Sequence, residues 1–150
     1  MYSPHFRLVS FESIPHGMKL GVLEHLLEAL LAANVAYLIE HPHPHTPRLY
    51  ASGVRYLQEP DGVDEWQDIP DTIKRRTGDC EDLAGWRMAE LTMGEDKGAK
   101  WHIDVDLLPD RSGQMVTTYH IQILRSFPDR WTRATAHGLI EDPSKLLGMP

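Results

Sequence analysis

Two hydrophobic periods divide this sequence, and together they restrict the class of fold open to it. Over residues 18–40, Val22, Leu23, Leu26, Leu27, Leu30, Leu31, Val35, Leu38 and Ile39 recur about every 3.6 residues, while Glu24 and Glu28 keep to another face. This is an amphipathic helix with a wide apolar stripe, whose ordinary role is core. It should stop at His41-Pro42, because a proline disfavours helical geometry in the residue before it. Further along the chain the period is two. Trp101, Ile103, Val105 and Leu107 alternate with His102, Asp104 and Asp106, the pattern of a half-buried strand. Met115, Thr117, Tyr119, Ile121 and Ile123 alternate in the same way, and Pro109-Asp-Arg-Ser-Gly113 lies between the two runs as a turn. Helices first and an antiparallel meander afterwards predict an α+β domain.

The intervening chain is less regular. Asp68-Ile-Pro-Asp-Thr-Ile predicts a short helix, since proline suits a first turn. A longer helix is expected to start at Asp79 or Cys80, with Glu81 and Asp82 in its acidic first turn, and to end near Met93-Gly94. Pro60-Asp-Gly62 reads as a turn, residues 126–135 as loop, and residues 139–142 as a short strand ended by Pro143. His41-Pro-His-Pro-His-Thr-Pro47 is expected to be a rigid, extended surface loop. Alternation with proline does not aim three rings at one point, and no acidic or cysteine ligand adjoins them in sequence. The 150 residues suit one domain, with a helical part over about residues 1–48 and a core over about residues 49–150.

Charge and cysteine content narrow the function. A net charge of −7 argues against a general nucleic-acid binder and against an anionic membrane surface. Residues 1–7 lack a charged stretch leading into an apolar run, so no signal peptide is read there, and Glu24, His25, Glu28 and Asn34 inside the apolar stretch favour a soluble helix over a membrane span. The expectation is an intracellular, cytoplasmic protein whose partner is a small molecule or another protein. One cysteine excludes an internal disulfide framework and any Cys-rich zinc module, and no cofactor or metal site is read from the sequence.

That cysteine, Cys80, is a structural apolar residue, a liability or a nucleophile. At a helix start, unpaired N–H groups and the positive end of the dipole stabilise a thiolate and can hold an oxyanion. Asp79 and Glu81 would oppose this if they point at the sulfur. A cysteine nucleophile needs a histidine to take its proton and a carboxylate or amide to orient that histidine. His120 stands mid-strand on the parity opposite the apolar set, with His102 and His137 as competitors. Asp142 can reach an imidazole on a neighbouring strand, or can simply initiate a turn before Pro143.

Arg76-Thr-Gly-Asp-Cys-Glu-Asp-Leu-Ala84, then Tyr119-His-Ile-Gln-Ile123, then Ile140-Glu-Asp-Pro-Ser144 resemble the transglutaminase-like superfamily of papain-fold thiol enzymes, in particular its small single-domain bacterial and phage members. The resemblance covers about residues 66–148. It implies a papain-like core in which the catalytic helix packs on a small antiparallel sheet, with Cys80 as nucleophile, His120 as general base and acid, and Asp142 as orienting carboxylate. Glu141 leaves the carboxylate ambiguous by one residue, because strand alternation sends only one of the two to the histidine's side. Trp66 and Gln67 lie upstream of the cysteine, where some members carry a tryptophan that assists the oxyanion; neither is given a role. The chain has no room for the calcium-binding modules of the animal enzymes. The implied activity is transglutaminase-type acyl transfer on protein glutamine. A cysteine peptidase or amidase using the same triad, acting on a protein or peptide, and a non-catalytic virion-type protein on this fold are the alternatives.

Overall fold

Helix α1 (His16–Glu40) and helix α3 (Cys80–Glu90) pack against one another, and α3 lies in turn on a four-stranded antiparallel sheet. The computed structural model describes residues 6–7, 16–59 and 65–150. Along α1, Leu23, Leu27, Leu30, Asn34 and Leu38 are buried, a narrower stripe than the full apolar set, and Ile39 is exposed. This helix is long and apolar enough to cross a membrane by length and composition, but here its inner stripe is spent on α3. The two helices come close where α3 carries Gly85: a Cβ there would stand 2.6 Å from Leu30 Cδ2. Asn34 is a polar residue in this seam. Its Oδ1 accepts the backbone N–H of Ile69 at 2.9 Å, supplying a buried donor that would otherwise lose its bond with water.

Short elements fill the connection. β1 (Phe6–Arg7) pairs antiparallel with β3 (Glu65–Trp66), and β2 (Arg55–Tyr56) pairs parallel with β4 (Thr77–Gly78). α2 (Ile69–Arg75) starts as expected, with Pro70 in its first turn and Asp68 Oδ1 accepting from Asp71 N at 3.1 Å. The turn expected at Pro60-Asp-Gly62 and the N-terminal stretch of residues 1–5 lie outside the described residues.

β5 (Lys100–Pro109) and β6 (Met115–Leu124) form the expected antiparallel hairpin. The sheet continues to β8 (Gly138–Glu141) and β7 (Arg133–Thr135), in the order β5-β6-β8-β7. α4 (Pro143–Leu146) follows β8 and packs on α3. Beneath α3 lie Ile121 and Ile123 of β6, with Leu23, Leu27, Leu30, Trp66, Ala84, Met88 and Leu91 in the same cluster.

Four expectations need correction. The hairpin is half-buried only at its base: Val105, Leu107, Leu108 and Met115 are exposed, because the helices cover the base and the hairpin projects past them. Residues 133–135, read as loop, are β7, an element of three residues held by pairing to β8 rather than by its own pattern. α3 ends regularly at Glu90 and is followed by a π-helical turn, Leu91–Glu95, rather than running on as regular helix to Gly94. The histidine–proline segment is a turn, not an extended strap. His45 N and Thr46 N donate to Pro42 O, His41 stacks on Tyr37, and His43 Nε2 lies 3.9 Å from Glu90 Oε2, a carboxylate brought there by the fold.

Candidate active site

The start of α3 is built by reciprocal capping. Asp79 and Asp82 form a capping box, in which the Asp79 backbone N–H donates to Asp82 Oδ2 at 3.1 Å. Gly78 is required just before it, since a Cβ there would lie 2.9 Å from Asp82 Cβ. Asp82 is further tied by Gln67, whose backbone N–H and side-chain amide donate to its two oxygens at 2.7 and 3.0 Å. Gln67 is therefore a brace for the helix start, while its neighbour Trp66 forms part of the wall of a cleft. The capping box leaves the N–H groups of Cys80 and Glu81 as the first-turn donors it does not use.

Cys80 enters this cleft half-buried. The cleft has a volume of about 310 Å³, and Tyr56, Trp66, Asp79, Cys80, Tyr119 and His120 are among its walls. β6 supplies His120 and β8 leads directly into Asp142. His120 Nε2 lies 2.8 Å from Asp142 Oδ2, and Gln122 Nε2 donates to the same oxygen at 3.0 Å. Burial works against the Asp142 carboxylate, but the bonds from His120 and Gln122 outweigh it and hold this carboxyl below the ordinary carboxylate range. With Asp142 ionised, Nε2 carries the proton it donates and Nδ1 keeps the lone pair. Asp142 Oδ1 also accepts from Lys145 N at 3.3 Å, so the residue both orients the imidazole and caps α4. The two readings of Asp142 were not exclusive.

Strand alternation separates the neighbouring carboxylates, and Arg87 and Arg125 decide which is which. Glu141 points to the opposite side of β8 and is completely buried. There it accepts from Arg87 Nε of α3 at 2.6 Å and from Arg125, the residue after β6, and Tyr50 Oη donates to it as well. His102 and His137 stand apart from Cys80, against each other, with ring centroids 5.0 Å apart. Of the three histidines weighed, His120 is the one that shares a cleft with the thiol.

The thiol itself differs from the helix-start expectation. It donates to Glu81 Oε2 at 3.3 Å rather than to the imidazole. Burial, and secondly the Asp79 carboxylate, push it up to about 12, against a backbone N–H of Ile121 that favours the thiolate. Desolvation outweighs the helix dipole, so the resting sulfur is protonated at neutral pH. The rate of iodoacetamide alkylation at Cys80 is thus expected to climb about tenfold per pH unit from pH ~7 to ~10 with no plateau. A rate that levels below pH ~9, near the pKa of a free thiol, would contradict this assignment.

Three contributors were not singled out from sequence. Gln122 lies two residues from His120 on the same strand face, a spacing that signals its position. Tyr56 stands across the cleft, its hydroxyl pushed up to about 12 by burial and by the Cys80, Asp79 and Glu81 groups, so it remains a donor. Glu59 joins Asp79 and Glu81 with one carboxylate oxygen each, all within 4.8 Å of one another. Nothing in a single sequence signals that convergence, because Glu59 is brought to the helix start by the chain after β2. No family model, no curated protein and no solved structure matches this chain.

Proposed function

We propose that the protein is a thiol acyltransferase of transglutaminase type on a papain-like core, acting on the carboxamide of protein-bound glutamine through Cys80, His120 and Asp142. The observation that carries the reading is that Cys80 and His120 line one cleft while His120 is held at 2.8 Å by Asp142. His120 Nδ1 takes the thiol proton as Sγ attacks the carboxamide carbon. The oxyanion is held by first-turn N–H groups of α3. On collapse the C–N bond breaks, His120 returns the proton to the departing ammonia, and a thioester on Cys80 remains. An amine then attacks the thioester, giving up its proton through His120, and the sulfur leaves as the restored thiol. Because the resting thiol is protonated, His120 serves here as a true general base rather than as the cation of a standing ion pair.

A cysteine peptidase or amidase reading uses the same first half with water as acceptor. It is favoured by one feature: the His120 side chain is 24% exposed, which leaves water a path to the base. The same reading takes α1 as the core helix of a soluble cytoplasmic protein, supported by complete burial of Leu27 and Leu30.

The test uses a fluorescent primary amine, monodansylcadaverine, with dimethylcasein as glutamine-bearing protein. Covalent label is expected with the wild-type protein and not with Cys80→Ala. Ammonia release or peptide cleavage without label, lost in Cys80→Ala, replaces the transferase by the hydrolase. Absence of all three activities assigns the fold a non-catalytic role.

A further inference from the structure

A tetrahedral intermediate on Cys80 places negative charge on the former carbonyl oxygen. A side-chain donor in the cleft that is idle at rest would serve that charge alone, which is the condition for accelerating the step. Most donors on the walls are committed. His120 Nε2 is engaged by Asp142, and Thr118 Oγ1 donates to Asp106 O at 3.4 Å. Trp66 and Tyr119 have interactions of their own, and Gln58 is exposed. The Tyr56 hydroxyl is different. The residue is half-buried in the wall of the cleft, and its hydroxyl makes no hydrogen bond among the described residues. Its backbone is fixed beside the nucleophile. β2 runs parallel to β4 with Tyr56 opposite Gly78, two residues before Cys80. Tyr56 N donates to Leu147 O and Leu57 N to Gly78 O, both at 2.9 Å. The ring therefore rides on chain bonded to the segment that enters α3, as a preorganised donor requires.

We propose that Tyr56 is a catalytic residue whose hydroxyl donates to the oxyanion formed on Cys80, together with first-turn N–H groups of α3. As Sγ bonds to the carbonyl carbon, the C=O π pair moves onto oxygen and accepts the Tyr56 O–H, while the thiol proton goes to His120. When the bond to the leaving group breaks, the pair returns to form C=O, and Tyr56 keeps its proton throughout. The resting sulfur does not claim this hydroxyl. A protonated thiol seeks an acceptor, and it has one in Glu81 Oε2 at 3.3 Å. Burial, and then the neighbouring Cys80 and Asp79 groups, push the phenol up to about 12, so it stays a donor at neutral pH. The inference rests on Cys80 acting as the acyl-accepting nucleophile, and not on glutamine as the donor.

Two reagents, used on the full-length protein, separate this role from a structural one. 4-Nitrophenyl acetate acylates Cys80 through an oxyanion and releases 4-nitrophenolate. Iodoacetamide alkylates the same sulfur by displacing iodide, and no oxyanion forms. In Tyr56→Phe the acylation rate is expected to fall about 100-fold, the scale of losing one oxyanion donor, while alkylation stays within ~3-fold of wild type. The melting temperature should not move, because the hydroxyl carries no bond in the resting protein. A parallel fall in both reactions makes Tyr56 a support for the sulfur or the fold and overturns the assignment. So does acylation by Tyr56→Phe within ~3-fold of wild type, or a wild-type ratio of acylation to alkylation no higher than that of free cysteine. A protein that shows the Tyr56 effect but never labels casein keeps the oxyanion donor and loses the glutamine reading.

Discussion

Replacing His120 with alanine should slow acylation of Cys80 by at least ~100-fold, the range ordinarily lost with a general base. The protonated resting thiol makes this loss large, because no standing thiolate is present to attack without the imidazole. The His120 side chain reaches Asp142 and the cleft and lies outside both core clusters, so the variant should melt within a few degrees of wild type. Added imidazole should restore part of the lost rate, a recovery that a purely structural histidine would not give. Single-turnover thioester formation, trapped and weighed by mass spectrometry, measures both effects. A rate within threefold of wild type would remove His120 from the mechanism. Asp142→Asn is the informative companion, since asparagine can still cap α4 but permits the wrong imidazole tautomer. The ionised state of Asp142 is secure over the working range: its carboxyl sits below the ordinary value, so its support for the fold is complete above about pH 4 and disappears only as pH falls through the depressed value.

Glu141→Ala should be the most destabilising single substitution on the polar side of the core. Glu141 is fully buried and neutralises Arg87 and Arg125, both themselves buried. Arg87 keeps Glu90 at 3.2 Å and Glu95 at 2.8 Å, and Arg125 keeps Asp96 and Asp129 at 2.8 Å. Removing the shared carboxylate nevertheless strands charge in the interior, which costs about 3–5 kcal/mol and, for a chain of this size, lowers Tm by roughly 10 °C. Urea unfolding should show an earlier midpoint with the same slope. A loss below ~1 kcal/mol would mean that the remaining acids satisfy both guanidinium groups. The consequence reaches the cleft. Arg87 belongs to the helix that carries Cys80, Arg125 follows the strand that carries His120, and Glu141 precedes Asp142. One ion cluster thus ties together the three elements that hold the three site residues, and the variant should lose activity even at temperatures where it remains folded.

How much of this was legible beforehand follows the length of each pattern. α1, α3 and the β5–β6 hairpin declare themselves because apolar residues repeat several times along each. β2 and β4 have two residues apiece, and their parallel pairing depends on chain distant in sequence. β7 has no period of its own. The pairing of His120 with Asp142 could be read as a possibility, but the choice between Asp142 and Glu141 was made by Arg87 and Arg125, which alternation alone does not reveal. The state of the thiol depended on two opposing influences that residue order cannot weigh. A helix start lowers its proton affinity; closure of the cleft and the orientation of Asp79 raise it. The second pair wins once the fold buries Cys80 beside Asp79, even though a backbone N–H of Ile121 favours the thiolate.

The hairpin that projects beyond the helices leaves β5, among the described residues, at the margin of the sheet, with one edge that no other strand pairs. Such a margin invites another chain to add a strand. Asp104 and Asp106 alternate with the exposed Val105 and Leu107 along that strand, so a second copy laid alongside in register would bring like charges together. Charges at such positions are among the devices that disfavour edge-to-edge pairing of sheets.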